Sequence, residues 1–334
     1  MAVVERNTAA IWVSGQTAKG TAATTAVKKG RLVSGSLNPN IAYGSEDYTD
    51  GQRFSSASDY VDTISGEGSA VLQGQSGLLA YLSYLMLGSE VVTGAGPYEH
   101  VATPAGSSKW VTVWSLVGAS LAQRKRHADC RITSLVIEGS TGAKVVHINP
   151  TFRVLDAGEI VATDPVKADD GTEPIIYTEA QGTYTVDGVV MPIHAGFSVT
   201  MTDELTEVQG DGVRAVELAP GRGSVGLEVT LGAYNEQAIA QMNKIWYGSP
   251  TPAAGTKPQS VVPALGTYEF NATRGSTEQL KIKFYGVRWA PPAAPTGDPG
   301  GGAEAMTLSG GGRLVGSNPM IEITVTNSDA AYTV

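Results

Sequence analysis

Residues 140–155 read STGAKVVHINPTFRVL, and residues 309–324 read SGGGRLVGSNPMIEIT. The two stretches align without a gap: Ser140 falls on Ser309, Gly142 on Gly311, Lys144 on Arg313, Val146 on Val315, and Asn149-Pro150 on Asn318-Pro319. Each reads as a Ser/Gly turn that launches a strand, an Asn-Pro that breaks or bulges it because proline donates nothing to a ladder, and an alternating strand after it. In the second stretch Ile321, Ile323 and Val325 share one face, and Glu322, Thr324 and Thr326 share the other. Gly-rich β sequences resemble one another by chance, so the match needs support from elsewhere in the chain.

That support comes from two helix-sized apolar segments, GLLAYLSYLMLGS at 77–89 and NEQAIAQMNKIWYGS at 235–249. Both stop at a helix C-terminal signal, Gly88-Ser89 in one and Gly248-Ser249 in the other. The first carries Leu78, Leu79, Leu82, Leu85 and Met86 at helical spacing, with Tyr81, Tyr84 and Leu87 widening the stripe, which predicts burial on most sides. Upstream of each helix lies an alternating strand behind a Gly-Ser turn, Gly68-Ser69 and Gly223-Ser224. The recurring order predicts a tandem duplication of one β-rich domain. It divides the chain into an N-terminal arm over 1–30, a first β domain over 31–160, a linker over 161–190 and a second β domain over 191–334.

A chain of 334 residues suits two domains rather than one core. Gly at 41 positions and only 16% charged residues point to sheets and tight turns. The single cysteine, Cys130, excludes an intrachain disulfide. Glu5 and Arg6 interrupt the apolar region a signal peptide needs, and no 18-residue apolar run exists, so the expectation is a soluble, cytoplasmically made protein with no membrane partner. The net charge is −9, about −1 of it in residues 1–165 and −8 in 166–334. Tight contact with duplex DNA needs a basic patch. The one basic run, Arg124-Lys125-Arg126-His127, lies between apolar strands and reads as a solvated turn or a salt-bridged subunit contact.

Residues 1–30 end in a polar Ala/Thr/Gly stretch and read as an arm that orders only against a partner. Its deletion through Lys29 is expected to leave folded subunits that no longer stack. A strand over 31–37 precedes a long polar loop over 40–60, whose Tyr43, Tyr48, Phe54 and Tyr60 suit a protein contact surface or a loop that caps the core. After a loop over 90–108, Trp110, Thr112, Trp114 and Leu116 oppose Val111, Val113 and Val117, the pattern of a strand buried on both faces. A strand over 131–139 follows, then an acidic, turn-rich connection over 156–188. In the second half Phe197, Val199 and Met201 alternate with polar residues, as do Leu280, Ile282 and Phe284, and a Pro/Gly-rich insert spans 290–302.

No catalytic constellation emerges, and no enzyme activity, cofactor or metal is expected. His100, His127, His147 and His194 lack metal-ligand spacing. Gly74-Gln75-Ser76-Gly77 is one residue short of a nucleophile elbow, and no phosphate-binding Gly loop is present. Asp169-Asp170-Gly171 with Glu173 lacks the full ligand ladder of a calcium loop.

The layout, a β-rich domain with one short helix between sheets, a polar N-terminal arm and a long loop after the first strands, resembles the tail tube proteins of tailed bacteriophages. The likeness spans nearly the whole chain, once per half, through the helices that end at Gly-Ser and the paired Asn-Pro strands. It implies a mainly β fold of two tandem tail-tube-like β-sandwich or barrel domains, each with one short helix, whose inner sheets join neighbours into a ring-shaped β-barrel. Simple members of the family carry a single such domain and build each ring from six. Two per chain imply a trimer with pseudo-sixfold symmetry, stacked into a conduit for DNA ejection. The implied partners are other copies, the tape measure, tail terminator and distal tail proteins, and double-stranded DNA passing without specific binding. The implied location is the virion tail, assembled in the host cytoplasm. Glu322 is a candidate lumen-facing residue. The rival reading is a two-domain β-sandwich adhesin or carbohydrate-binding virion protein, and a capsid or tail-terminator protein is a further alternative.

Overall fold

Residues 10–48, 56–116, 124–140, 144–155, 158–163, 165–167, 177–210, 212–232, 235–275, 277–293 and 305–332 are described by the structure, a computed structural model. Apolar and polar residues alternate along most of them, and the protein is mainly β. The first half contains β1 (Ala10–Gly15), β2 (Thr25–Ala26), β3 (Lys28–Gly30), β4 (Leu32–Tyr48) and β5 (Ser56–Gln73), then helix α1 (Ser76–Leu87). It continues with β6 (Gly88–Thr93), β7 (Tyr98–Pro104), β8 (Val111–Leu116), β9 (Arg124–Ser140), β10 (His147–Val154), β11 (Glu159–Ile160) and β12 (Val166–Lys167). The second half contains β13 (Gly182–Val186), β14 (Val189–Met191), β15 (Gly196–Gln209) and β16 (Ala215–Leu231), then helix α2 (Glu236–Tyr247). β17 (Gly266–Arg274), β18 (Glu278–Trp289), β19 (Met306–Gly312) and β20 (Glu322–Asn327) complete it.

Strand neighbours in the first half run β4-β5-β10-β9-β8. In the second half they run β15-β16-β19-β18-β17. The same order occurs twice, with a helix each time in the connection that leaves the long hairpin. Two joints merge the halves into one large antiparallel sheet. β15 pairs with β9 from Gly196 opposite Ser140 to Thr202 opposite Ser134, and β7 pairs with β20 from Ala102 opposite Ile323 to Tyr98 opposite Asn327. Within one chain this sheet does not close into a barrel.

Both helices lie where the periodicity places them. Gly88 and Gly248 cap them in the left-handed conformation at φ 86° and 75°, which costs glycine little because it has no Cβ. α1 is apolar around most of its circumference and is accordingly buried on nearly all sides. α2 buries one stripe, Ala238, Met242 and Ile245, and the Asn235 side chain caps it by accepting from the Ala238 amide.

Several expectations are corrected. Two segments of the N-terminal arm, β1 and β3, are part of the main sheet, and β2 pairs with β12 in a separate two-stranded sheet. β1 lies between β3 and β8, Ile11 and Val13 enter the main core, and Trp12 packs with Ala26, Trp114 and Leu116 on the opposite face. The polar run over 40–60 is mostly strand rather than loop, because β4 and β5 pair as far as Tyr48 opposite Ser56. The apolar side chains of that hairpin, Ile41, Tyr43, Tyr60 and Val61, are exposed among polar residues, so no buried-face period marks the pair, although the strands pair along their length with register shifts at Leu32/Ser34 and Ala42/Tyr43. The 90–108 loop contains the β6–β7 hairpin. The basic run 124–127 opens β9, with Arg126 paired to Glu159 and His127 buried, so it is a strand and not a turn. Part of the 161–190 linker, β13, is built into the second-half sheet beside β17. Phe54, Gly142, Asp169 to Glu173 and most of the 290–302 insert lie outside the described residues.

Candidate assembly surface

The alternation that buries one face of the sheet builds a polar surface on the other. One row across the strands carries Leu72, Ile148, Ile137, Val199 and Leu227 into the core. The neighbouring row on the outer face carries Gln73, His147, Glu138, Ser198, Glu228 and Ser309. Next to it run Asn149, Val136, Thr200, Gly226, Gly311 and Arg288. A third row carries Ser69, Thr151, Ser134, Thr202 and Ser224. This face crosses both halves without interruption and is made mostly of small neutral side chains, with Glu138, Glu228, His147 and Arg288 among them.

The β9–β15 joint is fixed by close backbone approach. A Cβ on Gly196 would lie 2.6 Å from the Gly139 carbonyl oxygen, so only glycine fits there. Beside it is a cleft of about 320 Å³ lined by Glu138, His147, Ser198 and Glu228. Asn149 donates to Glu138 at 2.8 Å, and the Thr202 and Ser224 hydroxyls lie 2.6 Å apart. Arg153 on β10 ties the two long hairpins together, donating to Glu207 of β15 at 2.7 Å and to Glu67 of β5 at 3.3 Å. The Glu207 hydrogen bond outweighs partial burial and raises the Arg153 pKa.

The two hairpins differ in how they are covered. Leu205, Ala215 and Leu218 of the second-half hairpin pack with Leu155 and Trp110 of the first half, and the Arg131 guanidinium lies 4.3 Å from the centre of the Trp110 ring. The first-half hairpin leaves Ile41, Tyr43, Tyr60 and Val61 exposed, Tyr43 at 71%. Among the described residues β4 pairs only with β5, so its outer edge is free, and Pro39 lies within it as proline does on edge strands.

The second joint is closed by a buried clasp. His100 on β7 places Nδ1 2.7 Å from Glu90 and Nε2 3.0 Å from the Asp329 carbonyl, while its ring stacks on Tyr332 at 4.8 Å. Tyr332 hydroxyl donates to Asp329, which also pairs with Lys28 at 2.7 Å. Both imidazole nitrogens face acceptors, so the doubly protonated ring satisfies both. Burial lowers the His100 pKa, but the Glu90 hydrogen bond, the Asp329 carbonyl and the two carboxylates together outweigh it and raise the pKa above its ordinary 6.5. The stabilisation is therefore complete below the unfolded-state pKa and is lost as pH rises through the folded one. Thermal melts across pH are expected to show His100→Gln less stable than the native chain at pH 6, with the gap narrowing as pH rises. A gap that stays constant would rule out a charged His100. A second pair, His194 with Glu179 at 2.5 Å, is stacked on Tyr184 at 3.9 Å, and Tyr184 donates to the same carboxylate.

Of the residues singled out by sequence, Gly88 and Gly248 are helix caps, Ser89 opens the β6–β7 hairpin and Ser249 follows α2. Asn149 and Pro150 lie inside β10, with a register shift just beyond at Thr151/Phe152. Asn318 and Pro319 lie instead in the turn between β19 and β20, where the Asn318 amide donates to the Val315 carbonyl. The gapless alignment thus joins two pairs with different backbones, and by its neighbours the strand that matches β10 is β19. Ile321, Ile323 and Val325 do share a buried face. Glu322 on β20 accepts from the Tyr285 hydroxyl at 2.9 Å, opposite Lys283 and away from the three rows. Sequence reading missed the His–Glu pairs, because their partners are spread over separate elements.

Among the described residues no group of three or more His, Cys, Asp or Glu is placed to hold a metal ion, and no helix is long and apolar enough to cross a membrane. Comparison with protein-family models and with curated proteins matches the chain to neither.

Proposed function

We propose that the protein is the structural subunit of a virion tail tube, built from a tandem duplication of one tube domain. The carrying observation is the β9–β15 joint: β15, which leads the second-half strand order, completes the sheet of the first half, while β4, its counterpart by strand order, keeps a free outer edge among the described residues. Head-to-tail addition of β4 to the far edge of a second copy repeats the joint, and a heterologous contact of this kind gives a ring when its rotation closes. Three chains supply six domains, and their joined sheets form the barrel that a single chain lacks, which removes the free edges.

In that ring the three polar rows line the lumen. Small hydroxyl side chains with Glu138 and Glu228, and Arg288 as the one arginine of these rows, offer phosphates few cations, so duplex DNA passes without adhering. The role is structural rather than enzymatic. Its partners are further copies, the tape measure protein inside the tube and the terminator and distal proteins at its ends. Concentrated protein viewed by electron microscopy is expected to form hollow tubes of uniform bore. Monomers under every condition, together with glycan binding, would favour the two-domain adhesin.

A further inference from the structure

Both joints inside the chain link the same two faces: the first half offers the β9 edge and β7, and the second half offers β15 and β20. Each has an unused counterpart. β4 matches β15 as the first strand of a long hairpin. β11 matches β20, because each follows the inserted strand and pairs with the leading end of the penultimate one, β11 with β9 and β20 with β18. The counterpart of the β6–β7 hairpin, between α2 and β17, is the loop 250–265.

That loop is anchored to its own half. The Gln259 amide donates to the Trp246 carbonyl at 2.8 Å, its side chain donates to the Ile245 carbonyl at 2.8 Å, and Arg288 holds the Pro263 carbonyl. Between these anchors Val261 and Val262 stand 68% and 72% exposed. β11 is likewise pinned, by the Val161 amide on the Arg124 carbonyl and by the Arg126–Glu159 ion pair, yet Ile160 is 60% exposed. An open groove of about 730 Å³ is lined by the loop, through Val261, Val262 and Pro263, together with Arg288 to Pro291 and Gly310. It begins where β18 runs past Val287, the last residue covered by β17. This is the counterpart of the β9 edge that receives β15.

We propose that the loop around Val261 and Val262 docks on β11 of a second copy, in the place that β7 takes on β20 within the chain, while β4 of that copy enters the adjoining groove. The proposal rests on the ring reading above and names its second contact. It also gives the basic run 124–127 a role: Arg124 and Arg126 hold β11 in position for a neighbouring subunit.

The test is a charge exchange in the full chain, assembly being read by sedimentation and electron microscopy. Val262→Asp and Ile160→Arg are each expected to lower the assembled fraction at least tenfold, and the two combined to restore most of it. Both sites are exposed, so thermal midpoints should stay unchanged. Val262→Cys with Ile160→Cys should give disulfide-linked chains on oxidation, without competition from Cys130, which is fully buried. Wild-type rings that tolerate both single charges, or a double variant no better than either, would overturn this interface alone. Wild-type protein that forms no rings would overturn the ring reading and this interface with it.

Discussion

Removal of residues 1–29 is expected to unfold the first half of the protein rather than release a folded subunit that has lost only its stacking contact. β1 pairs with β8 along its whole length and with β3 on its other side. Its side chains are buried on both faces, Ile11 and Val13 in the main core and Trp12 against Trp114. Burying an apolar side chain of this size contributes about 1.5–3 kcal/mol, so three of them approach the net stability of a whole domain, about 5–15 kcal/mol. The Gly15 amide also donates to the Tyr81 hydroxyl at 2.6 Å, which ties β1 to α1. Circular dichroism of the truncated chain should show no cooperative transition at the native midpoint. An unchanged melt would mean that β1 is dispensable and that the segment is an arm after all.

Replacing both Ile41 and Tyr43 by Asp is expected to have the opposite profile, abolishing assembly while leaving the subunit folded. Both side chains are exposed on the first-half hairpin, so the monomer loses no core contact. The second-half hairpin indicates what such a surface is for, since Leu205, Ala215 and Leu218 are covered by Leu155 and Trp110. If the first-half hairpin seats on a second copy in the same way, two apolar contacts of about 1.5–3 kcal/mol each are lost per interface. At about 1.4 kcal/mol per tenfold, the affinity should fall at least a hundredfold, read as loss of rapidly sedimenting species. Tubes of normal yield from this variant would remove the hairpin from the interface.

Much of the fold was legible in the sequence wherever one face of an element is apolar. The Gly-capped helices, the buried β8, and the alternation of Phe197, Val199 and Met201 and of Leu280, Ile282 and Phe284 are all found where their periodicity places them. β4 and the distal part of β5 were illegible because Ile41, Tyr43, Tyr60 and Val61 are exposed among polar residues, so no buried face imposes a period to detect. β1 was misread because its polar neighbours at 16–25 obscured the short run AIWV, whose two faces are both apolar. The polar rows could be guessed strand by strand but not assembled, because the β9–β15 joint pairs residues more than fifty positions apart. Asn318-Pro319 shows the limit of motif matching, since the dipeptide tolerates both an interrupted strand and a turn, and the two copies take one each. The recurring strand order was visible only in the pairing.

End-on electron micrographs of assemblies of the native chain, classified for rotational symmetry, test the central claim most directly. Rings of three chains with six similar lobes around an open bore are predicted, because under the proposed duplication each chain would supply two domains, and the strand order recurs with an unpaired β4 edge among the described residues. Six chains per ring would refute the duplicated-domain ring, and solid or irregular aggregates without a bore would contradict the tube itself.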